Sequence, residues 1–175
     1  MTKSYATVAD KSAGDFIIES DWDNYIKTNI NNLIVPPACT LHNSSSISVS
    51  NGGFNTLTFD NEDIDTDGMH STVSNTGRIT IATTGIYILT ASIQWAANAT
   101  GKRVLLLYVD GTDDYGRLEI PAVTGGGTTS MTINSVPRQL TAGQYAECWV
   151  FQDSGGALDI NAQPYFGVHW FGKVS

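Results

Sequence analysis

The sequence predicts an all-β sandwich preceded by a short helical segment, and three observations lead to this fold class. Only 15% of the 175 residues are charged, against about 25% in typical domains. From Cys39 onward, short runs of β-branched and aromatic residues alternate with turn signals rich in Gly and Asn. The chain length suits one domain with an appendage better than two domains.

Residues 1–36 differ from the rest and predict an arm followed by one amphipathic helix. Ser20 and the acidic residues after it are typical of a helix start. Pro36-Pro37 ends the helix because proline lacks the backbone donor. A helix of about 14 residues is marginal alone in water, so it packs on its own domain, on sister chains or on a partner. The predicted contact stripe has helical spacing and comprises Trp22, Tyr25, Ile26, Ile30 and Leu33.

Residues 37–175 form the predicted β domain, in which many short strands at close spacing are typical of a sandwich or jelly roll. One long run, Ile86–Trp95, is apolar on both alternating faces at its start. We therefore expect this strand to contact protein on both sides. The other predicted strands include Leu57–Phe59, Arg78–Ile81, Arg103–Val109, Met131–Val136, Ala146–Gln152 and Tyr165–Phe171.

The charge balance argues against two classes of partner. The net charge is −8, whereas phosphate binding needs clustered cations, so we expect neither nucleic acid nor an acidic membrane surface as a partner. Cys39 and Cys148 are the two cysteines. They are either buried free thiols, which the absence of a signal peptide favours, or a disulfide.

The segment Asp63–Gly68 carries the strongest chemical signal. Asp63, Asp65 and Asp67 alternate before Gly68, as at the start of an EF-hand loop that wraps a calcium ion. The twelfth position is Ser74 rather than a bidentate Glu, so a true EF-hand is excluded. A looser calcium loop and an acidic, solvated loop without an ion both remain open, and no other cofactor is expected.

No catalytic motif is visible in the sequence. There is no Gly-x-Ser-x-Gly elbow and no phosphate-binding Gly-Lys-Ser motif, and the three His lack ligand spacing. We therefore expect that the protein is not an enzyme. The alternative is a small carbohydrate-active enzyme, and hydrolysis of glycans by the protein would support it.

The order of landmarks in residues 39–175 resembles the globular head of complement C1q and its tumour-necrosis-factor-like relatives. The resemblance implies a ten-stranded jelly roll that forms a homotrimer through its inner sheet. It would place Tyr87 and Phe166, with Trp170 as a further candidate, near the threefold axis, although each could be an ordinary core aromatic. The landmarks are Phe59-Asp60, Gly77-Arg78-Ile79, Gly85-Ile86-Tyr87-Ile88-Leu89 and Tyr165-Phe166-Gly167-Val168.

The opening Ala13-Gly14-Asp15-Phe16-Ile17-Ile18 and the helix after it look like the opening of phage structural proteins. This resemblance implies a trimeric capsid decoration (cement) protein of a tailed phage, assembled in the host cytoplasm and located in the virion. Its partners would be itself and the major capsid protein or another virion protein, contacted through the arm. The alternative is a receptor-binding tip or short tail-fibre head that recognises host surface glycans.

Overall fold

The computed structural model describes residues 16, 18–161 and 163–174, without the side chains of Asn24, Tyr25, Thr28, Asn32 and Asp113. Within these residues a helical segment comes first, in three pieces. They are α1 (Glu19–Asp21), a π-helical turn (Trp22–Lys27) and α2 (Thr28–Ile34). No helix in the described ranges is long and apolar enough to cross a membrane.

The predicted helix is present, but its first turn and its pitch differ from the prediction. The Asp21 carboxylate accepts a hydrogen bond from the Ile18 backbone N–H at 3.1 Å. Ser20 lies inside the first turn and is not the capping residue. The π-helical turn is wider than an α-helical one, because its hydrogen bonds run from i to i+5. The apolar stripe therefore does not follow the 3.6-residue period throughout.

Thirteen strands follow in the described part of the chain, where ten were expected. Five of the thirteen are only three residues long, and these short pieces raise the count. The strands are β1 (Ala38–His42), β2 (Ile47–Val49), β3 (Phe54–Thr56), β4 (Asn61–Asp65), β5 (Arg78–Thr80), β6 (Gly85–Trp95), β7 (Lys102–Val109), β8 (Asp113–Pro121), β9 (Thr129–Asn134), β10 (Arg138–Leu140), β11 (Tyr145–Gln152), β12 (Leu158–Ile160) and β13 (Tyr165–Gly172).

The strands form two sheets, and the whole is an all-β sandwich. The first sheet has eight strands in the order β2-β12-β6-β13-β1-β4, with β9 and β10 also paired to β6. The second has five strands in the order β3-β11-β7-β8, with β5 paired to β11. The eleven-residue strand β6 is the centre of the first sheet, since it pairs with β9, β10, β12 and β13.

The core lies between the two sheets and is built from alternate residues of their strands. In β6 the residues from Gly85 to Trp95 alternate strictly between buried and more exposed positions. Cys39 and Cys148 are both free thiols in this core, one in each sheet. Burial raises the pKa of both thiols well above the ordinary value, so neither is a reactive thiolate at neutral pH.

Candidate functional site

The outward faces of β6, β9 and β13 in the first sheet carry no charged carboxylate, ammonium or guanidinium group, and the nearest outward carboxylate on a neighbouring strand is Asp159 of β12. Because neighbouring side chains on a strand point to opposite faces, the core-facing residues of β6, β9 and β13 leave a second set pointing outward. We call this set the uncharged face. Its members are Ile86, Ile88, Thr90, Ser92, Gln94, Ser130, Thr132, Asn134, Tyr165, His169 and Phe171.

Neutral hydrogen bonds connect the uncharged face across its strands. The Ser92 and Thr132 hydroxyl oxygens lie 3.0 Å apart, and the Gln94 amide donates to the Ser130 hydroxyl at 3.1 Å. The Asn161 side-chain amide donates to the Gln94 side-chain oxygen Oε1 at 2.7 Å. Neutral hydroxyl and amide groups cost less to remove from water than charges do, so this face can be covered by protein at low cost.

His169 is the one histidine among the residues of this face. Its Nε2 lies over Gly167, where an added Cβ would come within 2.8 Å of that nitrogen. A larger residue at position 167 would therefore have to displace the imidazole. Burial lowers the pKa of His169 below its ordinary value of 6.5, so the ring is neutral at neutral pH.

The outward face of the second sheet has the opposite character, and we call it the ion-paired face. Glu119 accepts hydrogen bonds from Lys102 at 2.9 Å and from Arg117 at 2.6 Å. These donors lower the pKa of the Glu119 carboxyl below its ordinary value of 4.5. Arg78 forms an ion pair with Glu147 at 2.9 Å. The Glu147 carboxylate also accepts the Trp149 indole N–H at 3.0 Å.

The structure places two of the three predicted interface aromatics inside the chain's own core. Tyr87 and Phe166 are both fully buried; the Tyr87 hydroxyl donates to the Thr83 carbonyl oxygen, and the Phe166 ring lies 5.8 Å from that of Phe59. Neither side chain is therefore available to a second chain. Trp170 is half-buried and packs against the edge of the core.

The three alternating carboxylates of the acidic segment do not converge, since each has a different partner. The Asp63 carboxylate lies 3.0 Å from the His42 Nδ1, and both oxygens of Asp65 accept the single backbone N–H of Met69 at 2.9 Å. Asp67 is buried and accepts the Thr83 hydroxyl at 2.7 Å. Among the described residues no group of three or more His, Cys, Asp or Glu could hold a metal. The structure therefore gives no support to the calcium loop.

The predicted helix stripe is largely exposed. Trp22 is 53% exposed, Ile30 45% and Leu33 64%, while Ile26 is partly buried. The side chain of Tyr25 lies outside the described residues. The role of these residues as partner contacts stays a prediction.

Sequence reasoning missed three exposed apolar residues beside the stripe. Ile34 is 69% exposed, Val35 48% and Phe171 65%. Ile34 follows Ile30 by four positions, so helical spacing could have added it to the stripe. Val35 falls outside the stripe, and Phe171 lies at a bulge of β13. The bulge leaves no sequence signal of its own, whereas the missing charges on alternate residues of β6 could have been read from the sequence.

Comparison with known proteins identifies the fold. No protein-family model and no curated protein sequence matches the chain. Among solved structures, it is similar to the Eiger TNF of S. frugiperda, with 15% identity over 79% of this chain and 94% of that one and a TM-score of 0.52. The globular domain of zebrafish complement 1qA shares 14% identity over 79% and 99%, with a TM-score of 0.57. Murine APRIL shares 11% over 77% and 98%, with a TM-score of 0.58.

These identities show the fold alone. The chain has an all-β jelly-roll sandwich of the C1q/TNF type, as its landmarks indicated, and the helices are a minor part of it.

Proposed function

We propose that this chain is a non-catalytic structural protein that forms a homotrimer and decorates the capsid of a tailed phage. In this proposal the uncharged face joins the three copies, and the helical segment 19–35 contacts the major capsid protein or another virion protein. The protein assembles in the host cytoplasm and remains in the virion.

The observation that carries the trimer is the uncharged face. The chain has 9 Lys and Arg and 17 Asp and Glu side chains, yet none of them lies at the outward positions of β6, β9 and β13. Depletion of charged residues is the compositional mark of an interface core. Closed cyclic symmetry is the common way in which identical subunits cover such a surface, and the C1q/TNF resemblance implies threefold symmetry.

The observation that supports attachment is the exposed apolar surface of the helical segment. Ile30, Leu33, Ile34 and Val35 are each at least 45% exposed, and contiguous apolar surface of this kind marks interaction sites. Three helices on one trimer would bind a particle together, so weak individual contacts would give a tight multivalent attachment.

The test is immunogold labelling of intact source particles with antibody against residues 40–175. Gold spread over the capsid is the expected result, and an absence of gold on every particle would contradict a virion role.

A binding assay then locates the anchor: Ile30→Ser with Ile34→Ser should lose particle binding and stay folded. The matched control is Val73→Ser, since Val73 is 91% exposed on the head. Unchanged binding by the helix variant would move the anchor to the head.

A receptor-binding tip is the second candidate, and one observation on the ion-paired face favours it. Four aromatic residues cluster there in two ring pairs, with centroid separations of 5.4 Å for Tyr108 and Trp149 and 5.2 Å for Phe54 and Phe151. Aromatic faces beside carboxylates are suited to stacking on sugar rings of host glycans. Gold confined to the tail tip, with glycan binding that Trp149→Ala abolishes, would establish this alternative.

A further inference from the structure

A cavity of about 430 Å³ lies between α2 and the end of β13. Its large apolar walls are Leu33 from the helix and Trp170 and Phe171 from the strand, with Asn29 and Gly172 between them. Lys173 contributes the one charged side chain of the lining. An apolar cavity of roughly 150 Å³ is already large enough for benzene, so this one has room for an indole ring.

Local packing holds the walls of the cavity in place. The Trp170 indole rests on Gly85, where any side chain would collide with it. The Trp170 backbone N–H donates to the Pro37 carbonyl oxygen at 2.9 Å, which ties the end of the helical segment to β13. Phe171 is therefore left on the outer side of the bulge, 65% exposed.

A group that complements this cavity lies at the other end of the same helical segment. Trp22 is 53% exposed and stands between Asp21 and Asp23. It precedes Leu33 by eleven positions along the helical segment, through the π-helical turn and α2, on the order of 15 Å along the axis. This separation along the helical segment keeps Trp22 away from the cavity that Leu33 borders in its own chain.

We propose that Trp22 of one copy inserts into this cavity on a neighbouring copy. Three features favour a second copy as the occupant. The volume fits an indole, and Phe171 extends the uncharged face to the cavity rim. The start of the helix, with Glu19, Asp21 and Asp23, stays net acidic although Lys27 pairs with Asp23 at 3.4 Å, and it complements the charge of Lys173. A projecting group and a cavity at different places on one chain form a heterologous contact, which closes into a ring at threefold symmetry.

This inference rests on the proposed trimer and refines the role of the helix. Trp22 then belongs to the contact between copies, whereas Ile30 and Ile34 remain directed to the particle. The inserted Trp22 side chain also covers the apolar walls formed by Leu33 and Phe171, which are open in the single chain.

The test replaces Trp22 with the photo-crosslinking residue p-benzoylphenylalanine in the full chain. Protein labelled with ¹⁵N and unlabelled protein are unfolded together, refolded, irradiated and digested. The expected result is a crosslink from position 22 to residues 170–173 that joins light and heavy peptides. The same photoprobe in place of Val73, which is 91% exposed, is the matched control and should give no crosslink to residues 170–173.

The possible failures separate this inference from the trimer. A trimeric mass with crosslinks only within one chain, or with none to residues 170–173, would overturn the insertion of Trp22 and leave the trimer standing. A monomeric mass by light scattering would overturn the trimer first and the inference with it.

Discussion

The two outward faces of the sandwich differ in whether they carry charged side chains. On the ion-paired face, Glu119 lies within hydrogen-bond distance of both Lys102 and Arg117, and Arg78 neutralises Glu147. On the uncharged face, hydroxyl and amide groups such as Ser92, Thr132 and Gln94 bond to one another. A face whose charges are satisfied within the chain is suited to water, whereas a face without charges can be covered by a second chain without desolvating any ion.

The largest effect is expected when a charge is introduced into the uncharged face. Thr90 lies at its centre, paired with Asn134 on one side and Gly167 on the other. Thr90→Lys would bring three like charges together around the symmetry axis, at a cost of several kcal/mol. We expect a folded monomer by light scattering at micromolar concentration.

The matched control for this substitution is Thr80→Lys on the second sheet, where Thr80 is exposed and pairs with Tyr145. This variant should keep the mass of the wild type. If the two variants have the same mass, the two faces do not differ in their role in self-association.

The second prediction concerns Phe166, which the structure assigns to the core of the single chain. Phe166→Ala should lower the free energy of unfolding by about 3–5 kcal/mol, the usual cost of removing a buried aromatic side chain. Chemical denaturation should show this loss in the monomeric Thr90→Lys background as well. A loss that is seen only in the assembled protein would place Phe166 at the interface after all.

The third prediction gives the uncharged face an acid response below pH 6.5. The pKa of His169 is below its ordinary 6.5 in the folded chain, so the unfolded chain takes up a proton first as the pH falls. The stability that the neutral ring contributes is present above pH 6.5 and declines as the pH falls below it. His169→Gln should reduce the drop in Tm between pH 7.5 and pH 5.5; an unchanged drop would assign the response elsewhere.

The fourth prediction gives the ion-paired face a response at lower pH. The pKa of Glu119 is lowered from 4.5 by its two hydrogen-bond donors, so its contribution is present above pH 4.5 and is lost as the pH falls through the folded-state value. Glu119→Gln should therefore change Tm slightly at pH 6 and not at pH 2.5, because surface ion pairs contribute little. An equal change in Tm at both pH values would show that ionisation is not the cause.

The smallest effect is expected from calcium. Asp63, Asp65 and Asp67 have separate protein partners, so Tm measured with millimolar calcium should equal Tm measured with EDTA. A rise of several degrees with calcium would require the three carboxylates to rearrange around an ion.

The sequence was sufficient for features that depend on local pattern. Alternation in β6 and the turn signals predicted a β sandwich, and the stop at Pro36-Pro37 predicted the end of the helix, which is at Ile34. Features that depend on pairing were mispredicted. Leu57–Phe59 was expected to be a strand, but the strands are Phe54–Thr56 and Asn61–Asp65, because pairing with β11 and β1 overrides local apolar content.

The candidate interface shows the same limit. The landmark Tyr87 marks the right strand, but alternation turns its side chain into the core, and the neighbours Ile86 and Ile88 point outward instead. One position along a strand changes the face, and the resemblance to a family does not fix which of the two faces a given aromatic occupies.

The most direct test of the central claim is the mass of the wild-type protein in solution, measured by light scattering across a micromolar dilution series. A protein that uses its uncharged face for self-association should give three times the chain mass of 18.8 kDa. A single species at 18.8 kDa throughout the series would contradict the account, since the uncharged face would then be exposed to water in the working protein.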